Sequence, residues 1–322
     1  MIMTELQKAC DIAIRDCMGA KAGETVLVVS DTEKHEIGYE LYLSAIRLGH
    51  KAVYSEMQPL EVNGQEPPPA IANLMKQFDV VLCPTLRSLT HTQARRDASA
   101  TGARVATFPG ITKDVMIRGL NADYSRIAER SLNLKAVLDI GKHVRVTSAK
   151  GTDISFSIDG RDAYASKGLF HARGESGNLP TGETFLAPVE GTAEGVFIVD
   201  GSFAGVGLMQ EMDIKLTVKG GFVTSVEGGE NAKQLSGILA KVGGDAYNIA
   251  EFGIGTNDSA QLSGLILEDE KVMGTIHIAV GDNMGFGGKV KVPLHLDGVV
   301  KDPDVYLDGE LIMKQGKFTI EV

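Results

Sequence analysis

Two kinds of hydrophobic patterning divide this chain. Up to about residue 138, short apolar runs alternate with longer amphipathic stretches. ETVLVVSD (24–31), HKAVYSEM (50–57), DVVLCPT (79–85) and ARVATFPG (103–110) are bounded by Gly, Asp or Pro and read as strands. Between them, KHEIGYELYLSAIRLG (34–49), PPAIANLMKQF (68–78) and HTQARRDASATG (91–102) read as helices. Strands alternating with helices predict a parallel sheet covered on both faces, an α/β N-terminal domain over residues 1–138. The first strand runs into SDTEKHE and not a G-x-G-x-x-G turn, so a dinucleotide-binding reading lacks its signature.

After residue 140 the period shortens to two. HVRVTSAKGTDISFSIDG (143–160) and DIKLTVKGGFVTSVEGG (213–229) are alternating runs folded about Lys-Gly and Gly-Gly turns, and both read as hairpins. One helix, NAKQLSGILAKVG (231–243), interrupts them. The pattern predicts an α+β, largely antiparallel C-terminal domain over 139–322, with the change of grammar at LNLKAVLDIGK (132–142).

At 322 residues with 43% apolar and 23% charged content, the chain can build two globular cores. Its 32 basic and 42 acidic residues give a formal net charge of −10 with no basic block, which argues against nucleic-acid or anionic-membrane partners. Cys10, Cys17 and Cys83 lie in no C-x-x-C pair and suit a reducing compartment, as small buried hydrophobes. MIMTELQKACDIAIRDCMGAK has helical spacing without a long apolar centre, so neither a signal peptide nor a membrane anchor is expected, and the expected location is the cytoplasm.

The candidate chemistry sits in four segments of the second half. GNLPTGETFLAPVEG (177–191) presents Glu183 after a turn, and NIAEFGIGTND (248–258) carries Glu251 into a glycine-punctuated strand. EKVMGTIHIAVGDNMGFGG (270–288) places His277 between two isoleucines, and VPLHLDGVV (292–300) puts His295 and Asp297 on one face of a strand. Each has a plain alternative: a turn-capping carboxylate for Glu183, a hydrogen-bonded core histidine for His277, a wet strand face for His295 and Asp297. Together they are ligand types for a divalent ion, with zinc, cobalt, manganese and ferrous iron all open. His277, His295 and Asp297 alone make a 2-His-1-carboxylate set. Adding Glu183 and Glu251 gives oxygens enough for two ions roughly 3.5–4 Å apart, which suits hydrolysis by a metal-activated water.

NLPTGETFLAP, AEFGIGTN, DEKVMGTIHIAVGDN and LHLDGVV, in that order, resemble the metal-binding half of the aminopeptidase T and aminopeptidase S metallopeptidases. The resemblance covers about residues 177–300 and implies Glu183 and Glu251 as metal-ligating or water-activating glutamates, with His277, His295 and Asp297 as the remaining ligands. It also implies two divalent ions, cleavage of N-terminal residues from peptides, and a homodimer. Those peptidases carry a tyrosine seven residues after the histidine that matches His277; Met284 stands there, and a thioether cannot donate a hydrogen bond to an oxyanion. The same superfamily includes ferrous 2,5-dihydroxypyridine dioxygenases, which the chain also resembles and whose two histidines and aspartate would be His277, His295 and Asp297.

HARGES (171–176) places His171 and Arg173 just before Glu183, where Arg173 would hold a substrate carboxylate, and Met284 would line the substrate space. The leading expectation is a divalent-metal hydrolase acting on a short peptide or small amide, Glu183 or Glu251 assisting proton transfer. A ferrous ring-opening dioxygenase is the second, and a non-catalytic binding protein on the same fold the third.

Overall fold

The computed structural model describes residues 3–322. The chain forms two compact units. The first holds the residues up to Arg126 together with Gly168–Thr181; the second holds Ile127–Lys167 and Gly182–Val322.

The first unit is built on a five-stranded parallel sheet. Strands β1 (Thr25–Asp31), β2 (Lys51–Met57), β3 (Val80–Cys83), β4 (Arg104–Thr107) and β5 (Ser176–Asn178) lie in the order β2-β1-β3-β4-β5. The first four match the apolar runs of the sequence, and the intervening helices His35–Arg47, Pro69–Met75 and Gln93–Ala100 match the amphipathic stretches. Leu27, Val29, Val81, Cys83 and Val105 of the strands pack with Met75, Leu89, Ala94 and Ala98 in one buried cluster. All three cysteines are free and buried.

Two features depart from the expected division at residue 138. The helix Tyr124–Ile140 begins in the first unit, yet its Leu134 and Leu138 are buried in the core of the second. Strand β5, a Ser-Gly-Asn segment without hydrophobic alternation, pairs with β4 through Val105–Thr107 and so returns residues 168–181 to the first unit. Backbone hydrogen bonding recruits it, and no side-chain pattern announces that.

The second unit contains an eight-stranded and a seven-stranded antiparallel sheet. Both expected hairpins are present, as His143–Thr147 with Asp153–Ser157 and as Ile214–Lys219 with Phe222–Glu227. The centre of the seven-stranded sheet is β6 (Glu183–Leu186), β7 (Ile249–Gly255), β8 (Thr275–Gly281) and β9 (His295–Lys301), in the order β9-β8-β7-β6. One hydrophobic cluster takes Phe156 and Phe197 from the first of these sheets, Phe252, Ile276 and Ile278 from the second, and Leu235 and Leu239 from the helix Gly229–Val242. Phe156 and Phe252 meet at 5.3 Å between ring centroids. Among the described residues no helix is long and apolar enough to cross a membrane.

Because Phe156 is fully buried at this junction, Phe156→Ala is expected to lower the stability of the second unit by about 3–5 kcal/mol. Met212→Ala, at an exposed position, changes it by less than about 0.5 kcal/mol. Urea midpoints of the two variants check the contrast, and near-equal midpoints would contradict the packing described.

Candidate metal centre

Directly opposed residues of an antiparallel pair project from the same face of a sheet, and residues two apart along a strand share that face. Glu183 is opposite Gly255, Gly253 is opposite His277, Gly281 is opposite His295, and Ala279 lies between Glu251 and Asp297. Glu183, Glu251, His277, His295 and Asp297 therefore emerge from one face of four adjacent strands. The opposite face, with Phe252, Ile254, Ile276, Ile278, Val280 and Val300, belongs to the core. Each charged side chain stands beside a glycine or alanine, which leaves room for it. At Gly253 the requirement is steric, since a Cβ there would lie 2.0 Å from Nε2 of His277.

The five side chains form two overlapping triads that share Glu251. Glu183, Glu251 and His277 make one, and Glu251, His295 and Asp297 the other, with one candidate ligand atom from each residue within 4.8 Å of the rest of its triad. His277 Nε2 lies 3.2 Å from Glu251 Oε1 and 3.5 Å from Glu183 Oε2. His295 Nε2 lies 3.3 Å from both Glu251 Oε2 and Asp297 Oδ1. His295 Nδ1 is 2.8 Å from the Asp282 carbonyl, so it donates there and directs Nε2 into the cluster. His277 is fully buried, whereas the His295 side chain is 30% exposed.

Glu183 Oε2 and Asp297 Oδ1 are buried and accept no hydrogen bond. Carboxylate oxygens left in this state, converging with two imidazoles, fit a divalent cation in both donor type and charge. Without an ion the protons redistribute. Burial disfavours a charged His277, but the hydrogen bond to Glu251 and the nearby Glu183 and Asp297 outweigh it and raise its pKa to about 9. His295 is likewise driven upward, burial being overcome by Asp297 and Glu251. Burial pushes Glu183 up, only partly opposed by Lys271 and His277, while at Glu251 and Asp297 the histidines prevail over burial and hold the carboxyls low.

Three neighbours had no signal in the sequence. Lys271 is buried at the cluster, its Nζ donating to Glu183 Oε1 at 2.5 Å and to Glu270. Phe286 packs edge-on against the His295 ring at 5.7 Å and against Phe185 at 5.5 Å. The side chain of Glu270, mostly buried, joins the acidic surround.

None of the three expected substrate contacts is a member of either triad. Met284 is 52% exposed on a single 3-10 turn, Met284–Phe286. His171 and Arg173 belong to the first unit, where His171 Nε2 meets the Asp16 carbonyl at 2.7 Å and Arg173 donates to the Thr101 carbonyl at 3.3 Å. His171 also lines a cleft of about 350 Å³ with Arg15, Asp16, Asp123 and Ser125.

A sequence profile of the 2,5-dihydroxypyridine 5,6-dioxygenase family matches residues 5–320. The chain belongs to that family. It is 26% identical over 245 residues to the 2,5-dihydroxypyridine 5,6-dioxygenase of Pseudomonas putida, covering 71% of this chain and 68% of that protein. The solved structure of a 2,5-dihydroxypyridine dioxygenase from Pseudomonas putida superposes with a TM-score of 0.84 at 20% identity over 99% of both chains. Wild-type AmpT from Thermus thermophilus superposes with a TM-score of 0.69 at 17% identity, over 98% of this chain and 99% of that one. At these identities both structural likenesses are of fold alone. The expectation of a hydrolase, aminopeptidase or metalloprotease is thus corrected, because the family matched along nearly the whole chain is one of dioxygenases. The substitution at Met284 agrees with the correction, since a thioether offers no proton to an oxyanion.

Two outcomes follow for the metal-free protein. A divalent ion needs the lone pair of His277, which carries a proton below about pH 9, so binding releases protons and apparent affinity rises with pH until that value. Calorimetry in buffers of different ionisation enthalpy reads the release, and identical heats in all buffers would refute it. Gly253→Ala forces the His277 ring aside and weakens the ion by roughly 10–100-fold in chelator competition, the range seen when ligand orientation is disturbed.

Proposed function

We propose that this chain is a ferrous ring-cleaving dioxygenase acting on 2,5-dihydroxypyridine or a close hydroxylated nitrogen heteroaromatic. The observation that carries this reading is the convergence of His277, His295 and Asp297 around Glu251 on one sheet face, in a chain belonging to this dioxygenase family. Ferrous iron, when bound, supplies a centre at which dioxygen and an adjacent ring hydroxyl are activated together. His277, His295, Asp297 and Glu251 would hold it. The buried Glu183 Oε2, which accepts no hydrogen bond, would take the proton of a ring hydroxyl. Phe286 and Phe185, meeting edge to face beside His295, offer an apolar wall to a planar ring and keep water from that side.

Protein reconstituted anaerobically with ferrous iron is expected to consume one dioxygen per 2,5-dihydroxypyridine, followed with an oxygen electrode and by loss of the ring's absorbance. His277→Ala, His295→Ala and Asp297→Ala each lower the rate by about a hundredfold or more. Phe286→Ala raises KM up to roughly tenfold, the equivalent of one lost aromatic contact. Iron-loaded wild-type protein that takes up no oxygen with this substrate or its ring-substituted analogues would end the reading.

A further inference from the structure

Lys271 is a charged group at the centre that neither triad uses. It is 3% exposed, and its Nζ is shared between Glu183 Oε1, at 2.5 Å, and Glu270 Oε1. The fold holds it there. Asn257 N donates to the Lys271 carbonyl at 2.9 Å, and Met273 N donates to the Asn257 carbonyl at 3.0 Å, which fastens the lysine's segment to the end of β7. That segment also packs onto Gly255, where a Cβ would lie 2.1 Å from the Val272 carbonyl oxygen. Gly255 is the residue directly opposite Glu183, so the same contact that requires a glycine delivers the ammonium to the carboxylate.

A carboxylate already matched by a fixed ammonium has little net charge to offer a metal ion. A cation in the Glu183–Glu251–His277 triad would also stand beside the like charge of Lys271, in surroundings that screen poorly. The second triad differs, because Glu251 Oε2 and Asp297 Oδ1 both face His295.

We propose that Lys271 is a positioning residue that sets the number of ions: it takes Glu183 out of the ligand set and confines the centre to one divalent ion, held by Glu251, His277, His295 and Asp297. Glu183 Oε2 is then kept as a proton acceptor for substrate. This rests on the cluster being a metal centre but not on ring cleavage, and counting ions requires no turnover.

The test is equilibrium dialysis and electron paramagnetic resonance of the full chain with manganous ion. Wild-type protein binds one ion per chain with an uncoupled spectrum. Lys271→Gln binds two and shows the signature of a spin-coupled pair, and Lys271→Arg returns the count to one. Glu183→Gln keeps one ion with affinity within about threefold of wild type, short of the tenfold or more expected for a disturbed ligand shell. Two ions in the wild type, one ion in folded Lys271→Gln, or a loss beyond tenfold in Glu183→Gln each overturn the proposal. Should Lys271→Gln fail to fold, the wild-type count and the Glu183→Gln affinity decide it. No manganese in the wild type defeats this proposal and the metal centre together, whereas one ion without oxygen uptake defeats ring cleavage alone.

Discussion

The metal centre depends on one constraint: in the register of β6 to β9, every ionisable side chain shares a face and stands opposite a residue too small to compete for space. Shift any one strand by a single residue and its ligand turns into the hydrophobic core while an isoleucine or phenylalanine enters the cluster. The core itself guards against that slip. Phe252, Ile276, Ile278 and Val300 are packed on the other side of the same strands, so the energy that folds the second unit also fixes the alignment of Glu251, His277 and Asp297.

That alignment has an electrostatic cost. Removing a carboxylate from water carries an effective penalty of several kcal/mol per ion even after relaxation, and Glu183, Glu251 and Asp297 are all buried. The protein offsets it in different ways along the cluster. Glu183 is matched by a lysine that cannot leave, whereas Glu251 and Asp297 are matched by histidines, which can surrender a proton when a metal ion arrives. A fixed cation at one end and exchangeable protons at the other make the site asymmetric, although its two triads look equivalent by ligand type alone.

How much of this could be read from the sequence follows from which interactions are local. The period of two in VPLHLDGVV and GTIHIAV placed His295, Asp297 and His277 on their faces, and the alternation of strands and helices gave the parallel sheet, because both depend on neighbours along the chain. The order of four motifs brought the dioxygenase in only as the second reading, behind a hydrolase, because both chemistries draw on the same histidine and carboxylate ligands. Lys271 was invisible for a physical reason: a lysine after three acidic residues resembles a solvated turn, and its burial arises only when its segment folds onto Gly255. Phe286 gave no signal because its partner ring is nine residues away across a loop. Strand β5 and the helix that enters the second core escaped the division at residue 138 because backbone pairing and long-range packing, not periodicity, assign them.

The loop between the two histidines links this geometry to the kind of molecule the centre can admit. His295 follows His277 by only 18 positions, and the connection is tied back on itself: Asp282 N donates to the Leu294 carbonyl at 2.7 Å, and Asn283 Oδ1 accepts from Val290 N at 2.8 Å. Asn283 Nδ2 donates in turn to Glu190, which is paired with Arg161 at 2.5 Å. A loop this short and this fastened has little length with which to wrap an extended chain. What it does is hold Phe286 at right angles to the ring of His295, while His277 is fully buried. Among the described residues, the partly exposed histidine of the cluster thus carries an aromatic neighbour and the buried one does not, so apolar and charged groups adjoin on the His295 side alone.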